Sequence, residues 1–320
     1  MTDTVILHMA DPSPALDSAR AAHQDVTFEG CDSYAALPEV ISRTGAEIVY
    51  SVRFAGTPGF PRAALIDSPT VRWVSVGGSG TDHLAGWDPA RVTVTNAAGV
   101  AAGMMAEYVI GGLLHFTLDL PRFRAAQARR DWVEGRVRPL AGRTLLILGL
   151  GATGRAVACK ARAMGMRVLG VRARPAPTDH VDEVHGMDAL PDLWPRADAV
   201  AVCVPLLDTT RGLVGPEVFA ALPDGAILAD VSRGGVVDQA ALIAALEGGR
   251  LDGAALDVFE TEPLPQDSPL WALERVMITP HCSSVYDGWE ARSVEMFLDN
   301  LGRWRRGEAL ANVVDPVRGY

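Results

Sequence analysis

Residues 144–154 read Thr-Leu-Leu-Ile-Leu-Gly-Leu-Gly-Ala-Thr-Gly, an apolar run that leads into three spaced glycines. Parallel strands that are covered on both faces lose the alternation of apolar and polar residues, so Thr144–Leu148 is predicted to be a buried strand. A helix is predicted directly after the glycines, at 153–164. A strand, the spacing G-x-G-x-x-G and a helix in this order predict a dinucleotide-binding unit.

Each glycine of this loop has its own physical purpose. Gly149 allows the tight turn, Gly151 lets the backbone approach a pyrophosphate, and Gly154 lets the helix pack close to the strand. The N–H groups and the dipole at the start of the helix favour an anion. An ordinary strand–helix turn is the alternative interpretation. The residues expected to contact the cofactor phosphates are Gly149, Gly151, Ala152, Thr153 and Gly154.

The end of the next predicted strand indicates which cofactor binds. Sites specific for NAD carry an acidic residue about 20 positions after the glycines, where it accepts a hydrogen bond from the ribose 2′-hydroxyl. Here that place holds Arg172, and Arg174 follows shortly after it. A guanidinium donates only and suits a 2′-phosphate. The sequence therefore favours NADP(H), with NAD(H) possible and a solvated strand end as the alternative.

The rest of the chain repeats the same alternation of strands and helices. Six strands are predicted in the second half, at 144–148, 167–172, 199–204, 226–230, 253–257 and 276–279. Five more are predicted in the first hundred residues, at 5–8, 26–28, 48–52, 71–76 and 92–95. Since one hydrophobic core stops growing near 250–300 residues, 320 residues predict two domains. The expected fold class is α/β, with two Rossmann-like domains and doubly wound parallel sheets.

Two helical segments connect these halves. Residues 97–118 form an apolar stretch as long as a membrane span, but Glu107 lies near its middle and four glycines loosen it. A buried helix is the better prediction. The helix itself is predicted over 98–118. The segment 288–306 is predicted to be a helix that returns to the first domain, with apolar residues at Val294, Phe297, Leu298 and Leu301.

Composition excludes several classes of protein. The chain has 29 basic and 39 acidic residues, so its net charge of −10 argues against nucleic-acid binding. Its four cysteines form no C-x-x-C pair, which excludes a zinc ribbon and a disulfide framework, and no metal site is expected. The N-terminus has no basic region and no long apolar core, so a cytoplasmic protein without membrane partners is expected.

Three strand ends carry side chains suited to chemistry on a carboxylic acid. Arg233 follows the strand at 226–230, where its planar fork of donors suits a carboxylate and an adjacent carbonyl. His281 follows the last strand and is the usual type of group for moving a proton near neutral pH. A carboxylate on the second ring nitrogen would fix its tautomer, and Asp257, Glu260 and Glu262 compete for that role. Spacing does not choose among them.

The motifs GLGATG, DVSRGGVVD, LDVFETEPLP and ITPHCSS occur in this order, and together they resemble the D-isomer-specific 2-hydroxyacid dehydrogenases. The resemblance implies a substrate domain split between 1–98 and 288–320, with a Rossmann domain at 99–287 inserted into it. It also implies a homodimer.

The same resemblance implies roles for individual residues. Arg233 matches the arginine that binds substrate, Glu262 the acid that partners the catalytic histidine, and His281 that histidine. Asp257 matches a residue that faces the nicotinamide carboxamide. Further expected contacts to the cofactor are Val204, Pro205, Thr210, Val231, Ser283 and Ser284.

In the first domain, the resemblance implies that backbone N–H groups at Ser79 and Gly80 receive the substrate carboxylate. Arg53 is expected either at the substrate or in a surface ion pair. Met105 is expected near the nicotinamide and Met104 in the helix core. Trp132 is expected to cross a dimer interface.

Three residues depart from the family pattern: Thr153 in the glycine loop, Asp230 where Asn is common, and Arg172 in place of an acid. The expected function is reduction of a small 2-keto acid such as glyoxylate or hydroxypyruvate, or oxidation of the 2-hydroxy acid. A phosphoglycerate dehydrogenase and a non-catalytic NAD(P)-sensing corepressor are the alternatives.

Overall fold

The computed structural model describes residues 4–54, 57–316 and 318–319. The chain divides into two compact units, one formed by Met1–Val100 with Asp287–Tyr320 and the other by Ala101–Tyr286. Each unit contains one parallel sheet with helices between its strands. The predicted α/β class, with two doubly wound parallel sheets, is therefore confirmed.

The first unit is built on a five-stranded sheet with the order β2-β1-β3-β4-β5. Its strands are β1 (Thr4–His8), β2 (Thr27–Cys31), β3 (Ile48–Ser51), β4 (Trp73–Val76) and β5 (Thr93–Asn96). Its helices are α1 (Ser13–Ala22), α2 (Leu37–Thr44), α3 (Arg62–Ile66) and, from the end of the chain, α10 (Trp289–Arg305).

Helix α10 completes the core of this unit. Its buried residues Val294, Phe297 and Leu301 pack in one apolar cluster with Trp73 of β4 and Phe28 of β2. Full burial of each such side chain contributes about 1.5–3 kcal/mol to folding. The apolar spacing of 288–306 thus brings the last helix back to the first hundred residues.

The second unit contains seven parallel strands in the order β12-β11-β10-β9-β6-β7-β8. The strands are β6 (Thr144–Leu148), β7 (Arg167–Val171), β8 (Glu183–His185), β9 (Ala199–Val202), β10 (Ala226–Asp230), β11 (Leu251–Leu256) and β12 (Val276–Ile278). The helices are α4 (Ala102–Thr117), α5 (Leu120–Arg129), α6 (Ala152–Ala163), α7 (Leu190–Leu193), α8 (Pro216–Ala221) and α9 (Gln239–Glu247).

Two predictions about the second unit were wrong in detail. Six strands were predicted, but β8 makes seven, because a three-residue, half-buried strand carries no periodic signal. The long helix was predicted from residue 98, but α4 begins at Ala102, since Gly99 has a φ of +103° that a right-handed helix does not accommodate. None of the helices in the described ranges has the length and apolarity of a membrane span.

The strand order indicates which end of the sheet is suited to binding a ligand. The order reverses between β6 and β9, and ligands of open α/β sheets bind beyond the carboxyl ends of the strands at such a point. The glycine loop follows β6, and the segments with Arg233, Glu262 and His281 follow β10, β11 and β12. All these segments therefore leave the sheet at the same edge.

Candidate active site

The glycine loop has the shape that a pyrophosphate requires. Gly149 has a φ of +94°, and a Cβ on Gly154 would lie 1.9 Å from the Gly149 carbonyl oxygen. A Cβ on Gly151, in contrast, would meet no atom within 4 Å. The first and third glycines are thus required by the turn and by close packing, while the second faces open space where phosphate oxygens fit.

The start of α6 carries backbone N–H groups that are suited to an anion. Arg155 is the residue whose N–H bonds back to the Gly151 carbonyl, at 3.0 Å. The N–H groups of Ala152, Thr153 and Gly154 precede it in the first turn and point out of the helix end. Met105 of α4 lies beside this turn, with its Sδ 3.6 Å from the Thr153 Oγ1.

Arg172 lies directly beyond the glycine loop. The Gly149 N–H donates to the carbonyl of Val171, the last residue of β7, at 2.9 Å. The half-buried Arg172 comes next and donates its N–H to His185 of β8, and Arg174 is exposed. The two guanidinium side chains therefore follow the strand that adjoins the loop.

The turn after β9 is fixed by Thr210. Its Oγ1 donates to the Pro205 carbonyl at 2.6 Å and accepts the Leu207 N–H at 2.8 Å. The predicted cofactor residue Thr210 thus shapes the turn with its own hydroxyl. Val204, at the start of the turn, is buried, and its Cγ1 would lie 3.0 Å from a Cβ on Gly149. Val231, after β10, is also buried.

The loop after β10 begins at the buried Asp230 and carries Arg233. Asp230 accepts hydrogen bonds on Oδ1 from the Ser232 N–H (2.9 Å) and the Ser232 hydroxyl (2.6 Å). Arg233 donates from Nη1 to the Ser232 carbonyl at 2.7 Å. A Cβ on Gly234 would lie 1.8 Å from the Phe259 carbonyl oxygen, so only glycine lets this loop approach the loop after β11.

Asp230 makes stability depend on pH. Burial, assisted by the charge of Asp257, raises the pKa of Asp230 from 3.8 to about 7. Between these values the native state holds a proton that the unfolded chain has lost, so the free energy of unfolding falls as pH rises. Asp230→Asn keeps an acceptor for Ser232 but does not titrate. Within this pH window, we expect the free energy of unfolding of the variant to rise relative to that of the natural chain by about 1.4 kcal/mol per pH unit.

Urea unfolding of both proteins at several values between pH 5 and pH 8 measures this difference. We expect the difference in free energy of unfolding between the two proteins to increase up to about pH 7 and then to stay constant. If this difference is the same at every pH between 5 and 8, Asp230 is ionised in the native protein over that whole range.

The three competing acids after β11 have different partners. Glu262 Oε2 lies 2.8 Å from His281 Nδ1, whereas Glu260 accepts the Gln239 N–H. Partial burial opposes ionisation of Glu262, but hydrogen bonds from His281 and the Phe259 N–H outweigh it and leave the pKa of Glu262 below its ordinary value. The charge of Arg233 acts in the same direction. An imidazole held by an ionised carboxylate can give and take a proton through Nε2.

Asp257, the third acid, holds the histidine's own segment. It is 1% exposed, and its carboxylate accepts the N–H groups of Cys282 and Ser283 and the hydroxyl of Thr279. Neither Thr279 nor its neighbour Tyr108 was among the predicted site residues. The Tyr108 hydroxyl lies 2.9 Å from the Thr279 Oγ1. Ser284 follows, half-buried.

In the first unit, the expected carboxylate loop follows β4. The Asn96 side chain donates to the Ser79 carbonyl at 2.6 Å, and the Ala97 N–H donates to the Gly78 carbonyl at 2.9 Å. Within the described residues, no acceptor is bonded to the N–H groups of Ser79 and Gly80. Arg53 follows β3 and is exposed, and no described carboxylate pairs with it.

Two side chains outside these loops, Met104 and Trp132, are exposed. Met104 was expected in the helix core, but it is 36% exposed because the first turn of α4 leaves it at the surface. Trp132, expected at a dimer interface, is 95% exposed in the single chain. Among the residues that the structure describes, no group of three or more His, Cys, Asp or Glu side chains is arranged to hold a metal ion.

Comparison with known proteins adds to this geometry. Residues 110–283 match a family model described as D-isomer specific 2-hydroxyacid dehydrogenase, NAD binding domain. A glyoxylate reductase of Korarchaeum cryptofilum is 34% identical, and the match covers 78% of this chain and 77% of that protein. A D-3-phosphoglycerate dehydrogenase of Methanocaldococcus jannaschii is 34% identical over 70% of this chain, but the match spans only 43% of its length.

Among solved structures, this chain is similar to a D-isomer specific 2-hydroxyacid dehydrogenase from Xanthobacter autotrophicus Py2 in complex with NADPH and MES. The identity is 34%, the TM-score is 0.85, and the alignment covers all of both chains.

Proposed function

Because this chain belongs to the D-isomer-specific 2-hydroxyacid dehydrogenase family, and is thus an NAD(P)-dependent oxidoreductase, we propose that it reduces small 2-keto acids with NADPH. Glyoxylate, hydroxypyruvate and close analogues are the proposed substrates. The observation that carries the proposal is the His281–Glu262 contact of 2.8 Å, which lies close enough to Arg233 for the guanidinium to lower the pKa of Glu262.

His281 is the proposed acid and base. When bound, the reduced nicotinamide supplies a hydride to C2 of the keto acid. His281 gives its Nε2 proton to the keto oxygen as negative charge develops there. Glu262 holds Nδ1 and stabilises the protonated ring before the transfer. In the oxidation direction His281 takes the proton from the hydroxyl group.

Substrate orientation is assigned to Arg233 and to the first unit's glycine-rich loop. The guanidinium holds the carboxylate and the carbonyl oxygen by parallel hydrogen bonds. The backbone N–H groups of Ser79 and Gly80 are proposed to receive the carboxylate, which fits their lack of acceptors within the described residues. Arg53 is the remaining candidate for a substrate contact.

The cofactor is proposed to lie along the carboxyl edge of the second sheet. The loop Gly149–Gly154 and the first turn of α6 would hold the pyrophosphate. Asp257 has three of its about four acceptor positions occupied, which leaves one for the carboxamide. The remaining proposed contacts come from Val204, Pro205, Thr210, Val231, Ser283 and Ser284.

NADP(H) is the proposed preference because Arg172 and Arg174 occupy the place of an acid. Arg172→Asp should raise the KM for NADPH by about 10²-fold, since a charge-assisted pair is lost and a like charge introduced. The KM for NADH should change little or fall. The measurement is initial rates with each cofactor at a saturating 2-keto acid.

Arg303→Asp, at an exposed position on α10, makes the same change of charge and is the control. Equal weakening of NADPH and NADH in Arg172→Asp would remove the 2′-phosphate from this site.

We also propose a homodimer in the cytoplasm. The exposed apolar side chains of Trp132, Val133 and Val137 on the segment between α5 and β6 support an interface there. The four cysteines, all in the described ranges, are free thiols, which fits a reducing compartment.

The direct test of the proposed function is loss of NADPH absorbance with a panel of 2-keto acids, including a phosphorylated one. Turnover of small unphosphorylated acids is expected. Tight NADPH binding without turnover of any acid would instead favour a cofactor-sensing binding protein.

A further inference from the structure

The backbone that carries His281 is in an unfavourable conformation. Its φ is +52°, in the left-handed region that residues with a Cβ seldom adopt. The ladder ends just before it, where the Thr279 N–H donates to the Leu256 carbonyl at 3.0 Å. The His281 N–H then bonds to the Thr279 carbonyl at 3.0 Å, across Pro280. Such a conformation persists only where the surroundings hold it.

The Asp257 carboxylate is the main restraint on this segment. The two N–H groups that follow His281 each bond to one of its oxygens: Cys282 to Oδ1 at 2.8 Å and Ser283 to Oδ2 at 3.0 Å. Asp257 is almost fully buried at the end of β11, so it is itself fixed by the sheet. The position of the imidazole thus depends on where this carboxylate lies.

Two hydroxyl groups fix the carboxylate in turn. The Thr279 hydroxyl donates to Asp257 Oδ1 at 2.6 Å. The Tyr108 hydroxyl, on α4, lies 2.9 Å from the Thr279 Oγ1. Because Thr279 has one hydroxyl proton and the carboxylate only accepts, Tyr108 must be the donor to Thr279 when both bonds form together. Burial raises the pKa of Tyr108 further above its ordinary value, so this donor keeps its proton.

We propose that Tyr108 and Thr279 are positioning residues. The hydrogen bonds that link Tyr108, Thr279 and Asp257 hold the backbone of His281 so that its Nδ1 stays in contact with Glu262. The inference rests on the proposed function for its catalytic consequence. Neither hydroxyl is assigned a contact with substrate or cofactor. These hydrogen bonds connect helix α4 with the ends of the two strands β11 and β12.

This arrangement predicts which kinetic constant changes. Removing the Thr279 hydroxyl leaves the Asp257 carboxylate and its bond to Ser283 in place, so cofactor binding is retained. The imidazole, however, is less well placed, and a misplacement of about 1 Å can cost as much as 10²-fold in rate. The loss should therefore appear in kcat and not in the KM for NADPH.

The test uses three variants of the full chain. Thr279→Val removes the hydroxyl at nearly constant shape, Thr279→Ser keeps it, and Tyr108→Phe removes the outer donor. The readouts are kcat, the KM for NADPH, and hydrogen exchange of the amides at 281–285 followed by mass spectrometry. We expect Thr279→Val to lose about tenfold or more in kcat with KM within about twofold, and to exchange faster. Tyr108→Phe should change in the same direction by less, and Thr279→Ser should behave as the natural chain.

Two results would overturn the proposal. If Thr279→Ser is impaired as much as Thr279→Val, the methyl group and not the hydroxyl is responsible. If Thr279→Val exchanges as slowly as the natural chain, the hydroxyl does not hold the segment. Exchange does not depend on turnover, so a natural chain that reduces no 2-keto acid would refute the proposed function and leave this test intact.

Discussion

His281→Ala should lower kcat for reduction of a 2-keto acid by about 10²–10⁴-fold, the usual contribution of a positioned acid–base group. The variant keeps the glycine loop, so NADPH binding should be unchanged. Without the imidazole, the developing alkoxide must take its proton from water instead of from a positioned acid. Initial rates at saturating substrate give kcat, and a fluorescence titration gives the dissociation constant for NADPH.

The matched control is His23→Ala, which removes a histidine whose ring contacts the Leu298 carbonyl in the first unit. Its kcat should stay near that of the natural chain even where its stability falls. A His281→Ala variant with near-normal kcat would exclude this histidine from the reaction.

Arg233→Lys should lower kcat/KM for the 2-keto acid by about 10²–10³-fold, although the positive charge is kept. A lysine ammonium carries its three donors on one nitrogen, so it cannot reproduce the planar fork that holds a carboxylate and a carbonyl oxygen by parallel hydrogen bonds. It also lacks the Nη1 bond to the Ser232 carbonyl, which now fixes the guanidinium at 2.7 Å. The decrease should appear mainly as a higher KM for the acid, measured with NADPH saturating.

Arg211→Lys provides the control, because Arg211 is an exposed arginine in the segment after β9 with no assigned role. If both variants lose activity equally, the effect comes from replacing any guanidinium in this part of the unit and not from Arg233 in particular. If Arg233→Lys retains its KM, the assignment of substrate binding to Arg233 is wrong.

The fold class was predictable because the chain repeats one strong local signal. Residues 144–148 are apolar without alternation and lead into glycines at fixed spacing, and the structure has β6 and α6 there. The roles of these glycines follow from covalent geometry, since a Cβ on Gly154 would collide with the Gly149 carbonyl. Strand β8 was missed because three half-buried residues carry no such pattern.

The candidate site could be predicted less completely than the fold, because its contacts join segments that are far apart along the chain. Spacing alone left Asp257, Glu260 and Glu262 equivalent, and only the turn after β11 shows that Glu262 reaches the His281 ring. The resemblance supplied that choice in advance. Neither spacing nor resemblance indicated Tyr108, which lies 171 positions from its partner Thr279.

The roles proposed for Arg233, Glu262 and His281 can be tested together by identifying the product. NADPH and a 2-keto acid with a prochiral carbonyl, such as hydroxypyruvate, are incubated with the chain, and the acid formed is resolved by chiral chromatography. We expect one equivalent of the D-2-hydroxy acid for each NADPH oxidised by the natural chain, and almost none from His281→Ala. Formation of the L-isomer, or NADPH binding with no product from any acid of the panel, would contradict it.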